Sequence, residues 1–231
     1  MTISFPEFST SSSVTVERFD RLAPAQESVH GPYRRIFKRL LDVAAIVVAA
    51  PIVAPLIAGL AVGVTLRGGQ PFYSQLRVGR GGRHFRMWKL RSMVTDADAR
   101  MADYLGANPA ARAEWDTTQK LRNDPRITPF GRFLRRSSLD ELPQLWNVLT
   151  GDMSLVGPRP MMPNQQALYP GDAYYLMRPG ITGYWQTAGR NRTTFSARAA
   201  FDDAYEQHLT LHTDLQILVR TVTVVLRGTG Y

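Results

Sequence analysis

The 231-residue chain contains no cysteine. No disulfide can staple it, which accords with a reducing compartment, although cysteine-free chains are also exported. Acidic residues are absent over a long stretch: none occurs between Val43 and Thr95, while Arg67, Arg77, Arg80, Arg83, Arg86, Lys89 and Arg91 all fall inside it. A stretch of one sign favours anionic headgroups or phosphate-bearing substrates. The phosphate-loop pattern GxxxxGK[ST] and the zinc pattern HExxH are both missing, and no internal repeat is evident. The first 31 residues lack the basic start and apolar core of a signal peptide, and Glu7 and Glu17 interrupt them. Rich in Ser and Thr and without apolar periodicity, residues 1–31 read as a disordered tail.

What is present begins with an uncharged run, Val43 to Leu66, in which Thr65 carries the only polar side chain. A straight helix of these 24 residues reaches roughly 36 Å, enough for the roughly 30 Å hydrocarbon layer of a bilayer. Two features complicate a plain crossing. Pro51 and Pro55 lie mid-run and predict a kink. Both flanks are basic, with Arg34, Arg35, Lys38 and Arg39 before and Arg67, Arg77 and Arg80 after, whereas a spanning helix shows that bias at one end. The double flank favours a re-entrant segment that bends at Pro51 and returns; a span and a buried helix are the alternatives. Asp42, at the edge of the run, is expected to pair with a nearby Arg or Lys.

Beyond the run, apolar positions either side of Gly79-Arg80-Gly81-Gly82 predict a β-hairpin across residues 71–93. Residues 95–121 read as helical with a break at Asn108-Pro109. Within them Asp96-Ala97-Asp98 matches a short metal-holding pattern, but carboxylates at i and i+2 diverge on a helix. An acidic and aromatic helix is predicted from Phe195 to His212. The apolar stretch Asp214–Leu226 is expected to pack on the core or lie at a membrane interface. His208 and His212 have the spacing of a two-His metal face without the rest of the motif. Trp88, Trp146 and Trp185 read as core or interface residues.

The densest constellation spans residues 123–160. Arg126, Arg132, Arg135 and Arg136 precede Ser138-Leu139-Asp140-Glu141, Pro143 and the apolar Leu142, Leu145, Trp146 and Leu149. Ser138 and Glu141 fit a capping box, while Pro143 points to a helix starting one turn later. Gly151 is the expected helix stop. Two readings of Asp140-Glu141 stand side by side. In one, they are helix-start acids balancing local arginines. In the other, one carboxylate attacks phosphorus to form an acyl phosphate, its neighbour holds Mg²⁺, and arginines clamp the phosphate oxygens. Pro158-Arg159-Pro160 is a rigid loop that fixes one arginine.

The stretches KRLLD (38–42), PFYSQLRVGRGGRHFRMWKLRSM (71–93), DPRITPFGRFLRRSSLDELPQLWNVLTGDMSLVGPRP (124–160) and RPGITGYWQTAGRN (178–191) resemble the bacterial sugar transferase family. These are polyprenyl-phosphate sugar-1-phosphate transferases, or monotopic phosphoglycosyl transferases. The likeness runs from about residue 34 to the end. It is closest to the short form acting in exopolysaccharide synthesis, without extra N-terminal membrane helices. The resemblance implies transfer of galactose or glucose 1-phosphate from a UDP-sugar to undecaprenyl phosphate, with release of UMP and a need for Mg²⁺. It places the nucleophile at Asp140 and its metal-binding partner at Glu141. Phosphate-binding positions fall at Arg135, Arg159 and Arg190, and Lys89 and Arg91 belong to the matching KxRSM element. The family's re-entrant helix breaks at a Ser-Pro pair; here that pair is Ala50-Pro51. The expected fold is α+β and mostly helical, a monotopic membrane protein with a re-entrant helix at 32–67 and a catalytic domain at 68–231 on the cytoplasmic face of the inner membrane. Expected partners are the donor, the lipid acceptor, membrane lipids and downstream glycosyltransferases. The competing readings are a non-catalytic basic membrane scaffold for polysaccharide assembly and, on charge alone, a tethered nucleic-acid binder, disfavoured beside so apolar an anchor.

Overall fold

A computed structural model describes residues 31–118, 121, 123–188 and 194–226. The expected tail, apart from Gly31, lies outside the described residues. A π-helical turn, Tyr33–Phe37, leads into helix α1, Lys38–Thr65. Strands β1 (Phe72–Val78) and β2 (His84–Leu90) form the predicted hairpin, turning through Arg80–Gly82. Helices α2 (Ala97–Ala107), α3 (Pro109–Thr118) and α4 (Pro129–Arg136) follow. A 3₁₀ turn, Leu139–Glu141, precedes α5 (Gln144–Thr150), β3 (Ser154–Val156), α6 (Ala173–Leu176), β4 (Gly180–Thr182) and α7 (Tyr184–Ala188). Helices α8 (Arg198–Gln207) and α9 (Leu211–Leu226) complete the described chain. The mostly helical α+β class is as expected.

Helix α1 continues through Pro51 and Pro55, since each proline removes a single donor from a long ladder. The stretch Tyr33–Thr65 is long and apolar enough to cross a membrane. Its side chains are not those of a core helix: Val47, Val48 and Ile52 are 61–79% exposed. Such a row of solvent-facing aliphatics calls for an apolar surrounding.

The chain divides into two compact units, and the division cuts α1 between Ala49 and Ala50, one residue before Pro51. The first unit holds the chain up to Ala49, Gln75–Met87 and Gln144–Val224. Its largest apolar cluster gathers Val156, Trp185, Phe201, Tyr205 and Ile217. β3 and β4 pair in parallel, Ser154 opposite Gly180 and Val156 opposite Thr182. A Cβ on Gly180 would lie 2.1 Å from the Gly157 amide nitrogen, so a larger residue has no room there. Asp42 departs from the expected ion pair: it accepts hydrogen bonds from the Ser154 hydroxyl (2.7 Å) and the Leu155 amide (3.2 Å). These uncharged donors come from β3, against which this part of α1 is fixed. Asp214 accepts from the Tyr33 hydroxyl, the Lys38 ammonium and the Tyr205 hydroxyl, each at 2.6 Å.

The predicted helix Phe195–His212 is corrected to two helices. Thr210 interrupts it, its hydroxyl accepting from the Thr213 amide (3.2 Å) and so competing for the backbone as an N-cap does. His208 therefore ends one helix and His212 lies in the next; the two-His face does not form.

The second unit holds Ala50–Ser74, Trp88–Pro143 and the chain from Val225. Ala61, Val64, Leu90 and Leu134 form its core, with Phe130 and Leu139 packed alongside. Helix α4 starts cleanly, Pro129 occupying the first turn and the Thr128 hydroxyl accepting from the Gly131 amide (2.9 Å). Gly131 is a close approach, because a Cβ there would sit 1.9 Å from the Ser92 carbonyl oxygen.

Candidate active site

The end of β2 and the turn after α4 bring together the groups singled out in the sequence, all within the second unit. At the end of β2 Leu90 is buried and Lys89 is partly exposed. Lys89 Nζ lies 2.7 Å from Glu141 Oε1 and 4.0 Å from Asp140 Oδ2. Arg135, in the last turn of α4, donates through Nε to the Ser92 hydroxyl (2.8 Å). Ser92 is the serine of the KxRSM element, but only the fold sets it opposite Arg135.

The local backbone explains the placement of the acids. Ser138 is the only non-glycine with positive φ (57°) among the described residues. Its amide donates to the Arg135 carbonyl, so it terminates α4 in a left-handed conformation. The expected capping box is therefore absent; Ser138 makes no side-chain cap bond, and regular helix resumes only after Pro143. The reversal carries Asp140 inward, where it is buried, and leaves Glu141 partly exposed.

Burial pushes the Asp140 carboxyl up to about 6; Lys89 and Arg135 pull it down and Glu141 pushes it further up. Such a group is a carboxylate at neutral pH, yet little stabilised as one, which suits a nucleophile. Two adjacent carboxylates also offer hard oxygen ligands. No cluster of three or more candidate metal ligands occurs among the described residues. A pair of carboxylates is the kind of donor set that Mg²⁺ takes alongside waters and substrate phosphates. Asp96 faces Arg100 (3.0 Å), as an ordinary i,i+4 pair does, and lends no support to the short metal pattern.

The remaining expected residues lie elsewhere. Arg91 donates through Nε to the Gln70 carbonyl (3.0 Å) in the second unit. Arg159 belongs to the first unit, its guanidinium 5.6 Å from the centre of the Trp185 ring. Arg198, which the sequence reading missed, stacks on that ring at 4.2 Å. Burial lowers Arg198 to about 10, and the like charge of Arg159 adds to the shift. Arg190 lies outside the described residues. Trp185 is buried as a core residue, whereas Trp146 is 61% exposed.

The sequence profile of the family described as bacterial sugar transferase matches residues 33–228. The chain is 44% identical over 227 residues to an undecaprenyl-phosphate galactose phosphotransferase of Salmonella typhimurium, covering 97% of this chain and 48% of that protein. It is 40% identical over 210 residues to the exopolysaccharide production protein ExoY of Rhizobium meliloti, covering 90% of this chain and 93% of that one. A UDP-glucose:undecaprenyl-phosphate glucose-1-phosphate transferase of Xanthomonas campestris is 40% identical over 205 residues, of which the match covers 40%. The chain thus spans about half the length, or less, of several curated relatives and nearly the whole of ExoY. With the profile covering most of its length, the chain belongs to the bacterial sugar transferase family.

Proposed function

We propose that the protein transfers a hexose 1-phosphate, galactose or glucose, from a UDP-sugar to undecaprenyl phosphate as the first membrane step of exopolysaccharide synthesis. The observation that carries this reading is the buried Asp140, raised to about 6, beside Glu141 and within reach of Lys89. A carboxylate oxygen of Asp140 attacks the sugar-bearing phosphorus. The bond from that phosphorus to the bridging oxygen breaks, and UMP leaves with the electron pair. The acyl phosphate is then attacked by an oxygen of the lipid phosphate. The bond to Asp140 breaks, giving a lipid diphosphate sugar and the free carboxylate. Lys89, Arg91 and Arg135, all in the second unit, would offset charge on the phosphates. Glu141 and Asp140 would hold Mg²⁺, which when bound supplies charge neutralisation at the diphosphate. Helix α1 would enter the inner membrane from the cytoplasmic side and, by bending at Pro51, return, keeping the carboxylates at headgroup height.

Membranes carrying the protein, incubated with radiolabelled UDP-sugars and undecaprenyl phosphate, should release UMP with one sugar and form a labelled lipid. Asp140→Asn should abolish both products while the protein still fractionates with membranes. Full activity in that variant overturns the assignment.

A further inference from the structure

Arg135 feels two carboxylates of the second unit, Asp140 and Asp124, with Arg126 and Tyr73 also near enough to act on it. A guanidinium beside two acids ordinarily closes on one of them in a charged, often two-pronged, hydrogen bond. Arg135 closes on neither. Among the described residues no ion pair joins it to Asp140 or to Asp124, and it donates through Nε to the neutral Ser92 hydroxyl instead (2.8 Å). The neighbouring charges are paired: Lys89 Nζ lies 2.7 Å from Glu141 Oε1, and Arg126 meets Asp124.

The Asp124–Arg126 pair accounts for this. Arg126 grips Asp124 as a fork, Nε 2.9 Å from Oδ1 and Nη2 2.6 Å from Oδ2, and its amide donates to Oδ1 as well (3.0 Å). The Asp124 and Arg126 side chains are only 6% and 13% exposed, and the Trp115 ring centre lies 5.3 Å from the Arg126 guanidinium. Asp124 is thus already occupied: its charge attracts Arg135 in competition with Asp140, but Arg126 keeps it from capturing Arg135 itself. The same residues fix the backbone that carries Ser92. The Val94 amide donates to the Arg126 carbonyl (2.9 Å), the Thr128 amide donates to the Ser92 carbonyl (3.1 Å), and Met93 and Ile127 form an antiparallel bridge.

We infer that Asp124 is a positioning residue: forked to Arg126, it restrains Arg135 from closing on Asp140 and so leaves the Nη1 and Nη2 groups of Arg135 to phosphate oxygens of the substrate. The inference rests on the two-step reading above. Without the restraint, Arg135 neutralises the nucleophile and is lost to the substrate in one movement. Without Arg126, Asp124 becomes the captor instead.

The test is binding of UDP to the full chain in detergent and EDTA, with each variant made in two backgrounds. Asp124→Asn keeps the shape of the side chain and should weaken UDP at least about fivefold, because Arg135 then closes on Asp140. Adding Asp140→Asn removes that acid, so the affinity should return to within about twofold of Asp140→Asn alone. Arg126→Gln frees Asp124 to capture Arg135 and should weaken UDP by a similar factor with or without Asp140→Asn. A purely structural role gives no recovery in the first case, and that result overturns the inference. If Asp124→Asn does not fold, Arg126→Gln still decides: a loss that disappears beside Asp140→Asn overturns the inference. If wild type binds no UDP, the donor reading fails, and thermal denaturation then tests the restraint by itself. Arg135→Gln and Asp140→Asn should be more strongly coupled in the presence of Asp124→Asn than in its absence; equal coupling overturns the inference.

Discussion

Asp140 is held between opposing influences. Burial and Glu141 favour its neutral form, while Lys89 and Arg135 favour the carboxylate. With its proton lost near pH 6, the proposed adduct should form about tenfold more slowly per pH unit below that point, because only an ionised carboxylate is nucleophilic. Replacing Lys89 by Met removes the largest influence lowering the value, so the acid limb of the single-turnover pH profile should move to higher pH. A limb that stays in place would detach Lys89 from the nucleophile. The same shift governs stability with the opposite sign. The folded protein holds this proton more tightly than the unfolded chain, so this group's contribution declines as pH rises from about 4 to about 6. Much of this was legible beforehand, since Asp140, Glu141 and Arg135 lie within seven residues. Arg198 was not, and the partner of Ser92 was not: an arginine in a helix has no distinguishing local pattern, and the KxRSM element does not say which side chain its serine meets until packing sets them together.

At the scale of elements, the short distance from α4 to the end of β2 matters most. Gly131→Ala would drive a methyl into the Ser92 carbonyl and push α4 outward, taking Arg135 from the Ser92 hydroxyl. A loss of about 1–3 kcal/mol in unfolding free energy should accompany slower adduct formation, by chemical denaturation and rapid quench. Ser138 gives a complementary test. Its left-handed backbone predicts that Ser138→Gly folds as well as wild type, while Ser138→Val costs about 1–2 kcal/mol, read from denaturation midpoints. The hairpin could be read from alternation around its glycine turn. The β3–β4 pair could not, because strands of three residues are too short to show a period and their partners are far apart in sequence. The capping-box expectation failed because Ser138 has a prior role as the stop of α4, and one backbone conformation cannot serve both.

For the whole molecule, the net charge of +9 and the exposed aliphatics of α1 act together. Vesicles containing phosphatidylglycerol should bind the protein more tightly than neutral ones. Added salt should erase the difference without releasing the protein, since screening acts on charge and not on apolar contact. Asp214, with its three donors, ties the start of α1 to α8 and α9 within the first unit. Asp214→Ala would leave Lys38 without its partner and should cost about 3–5 kcal/mol, visible as a lower Tm in detergent.

Tyr33 and Asp214 stand 181 positions apart, and each compact unit is assembled from separate lengths of chain. This bears on biosynthesis. The ribosome delivers the greasy leading helix long before Asp214, which secures its start, so the first unit cannot close until translation is almost over. On the proposed membrane placement, the nascent polypeptide waits at the bilayer, half-made, with lipid as its earliest folding partner.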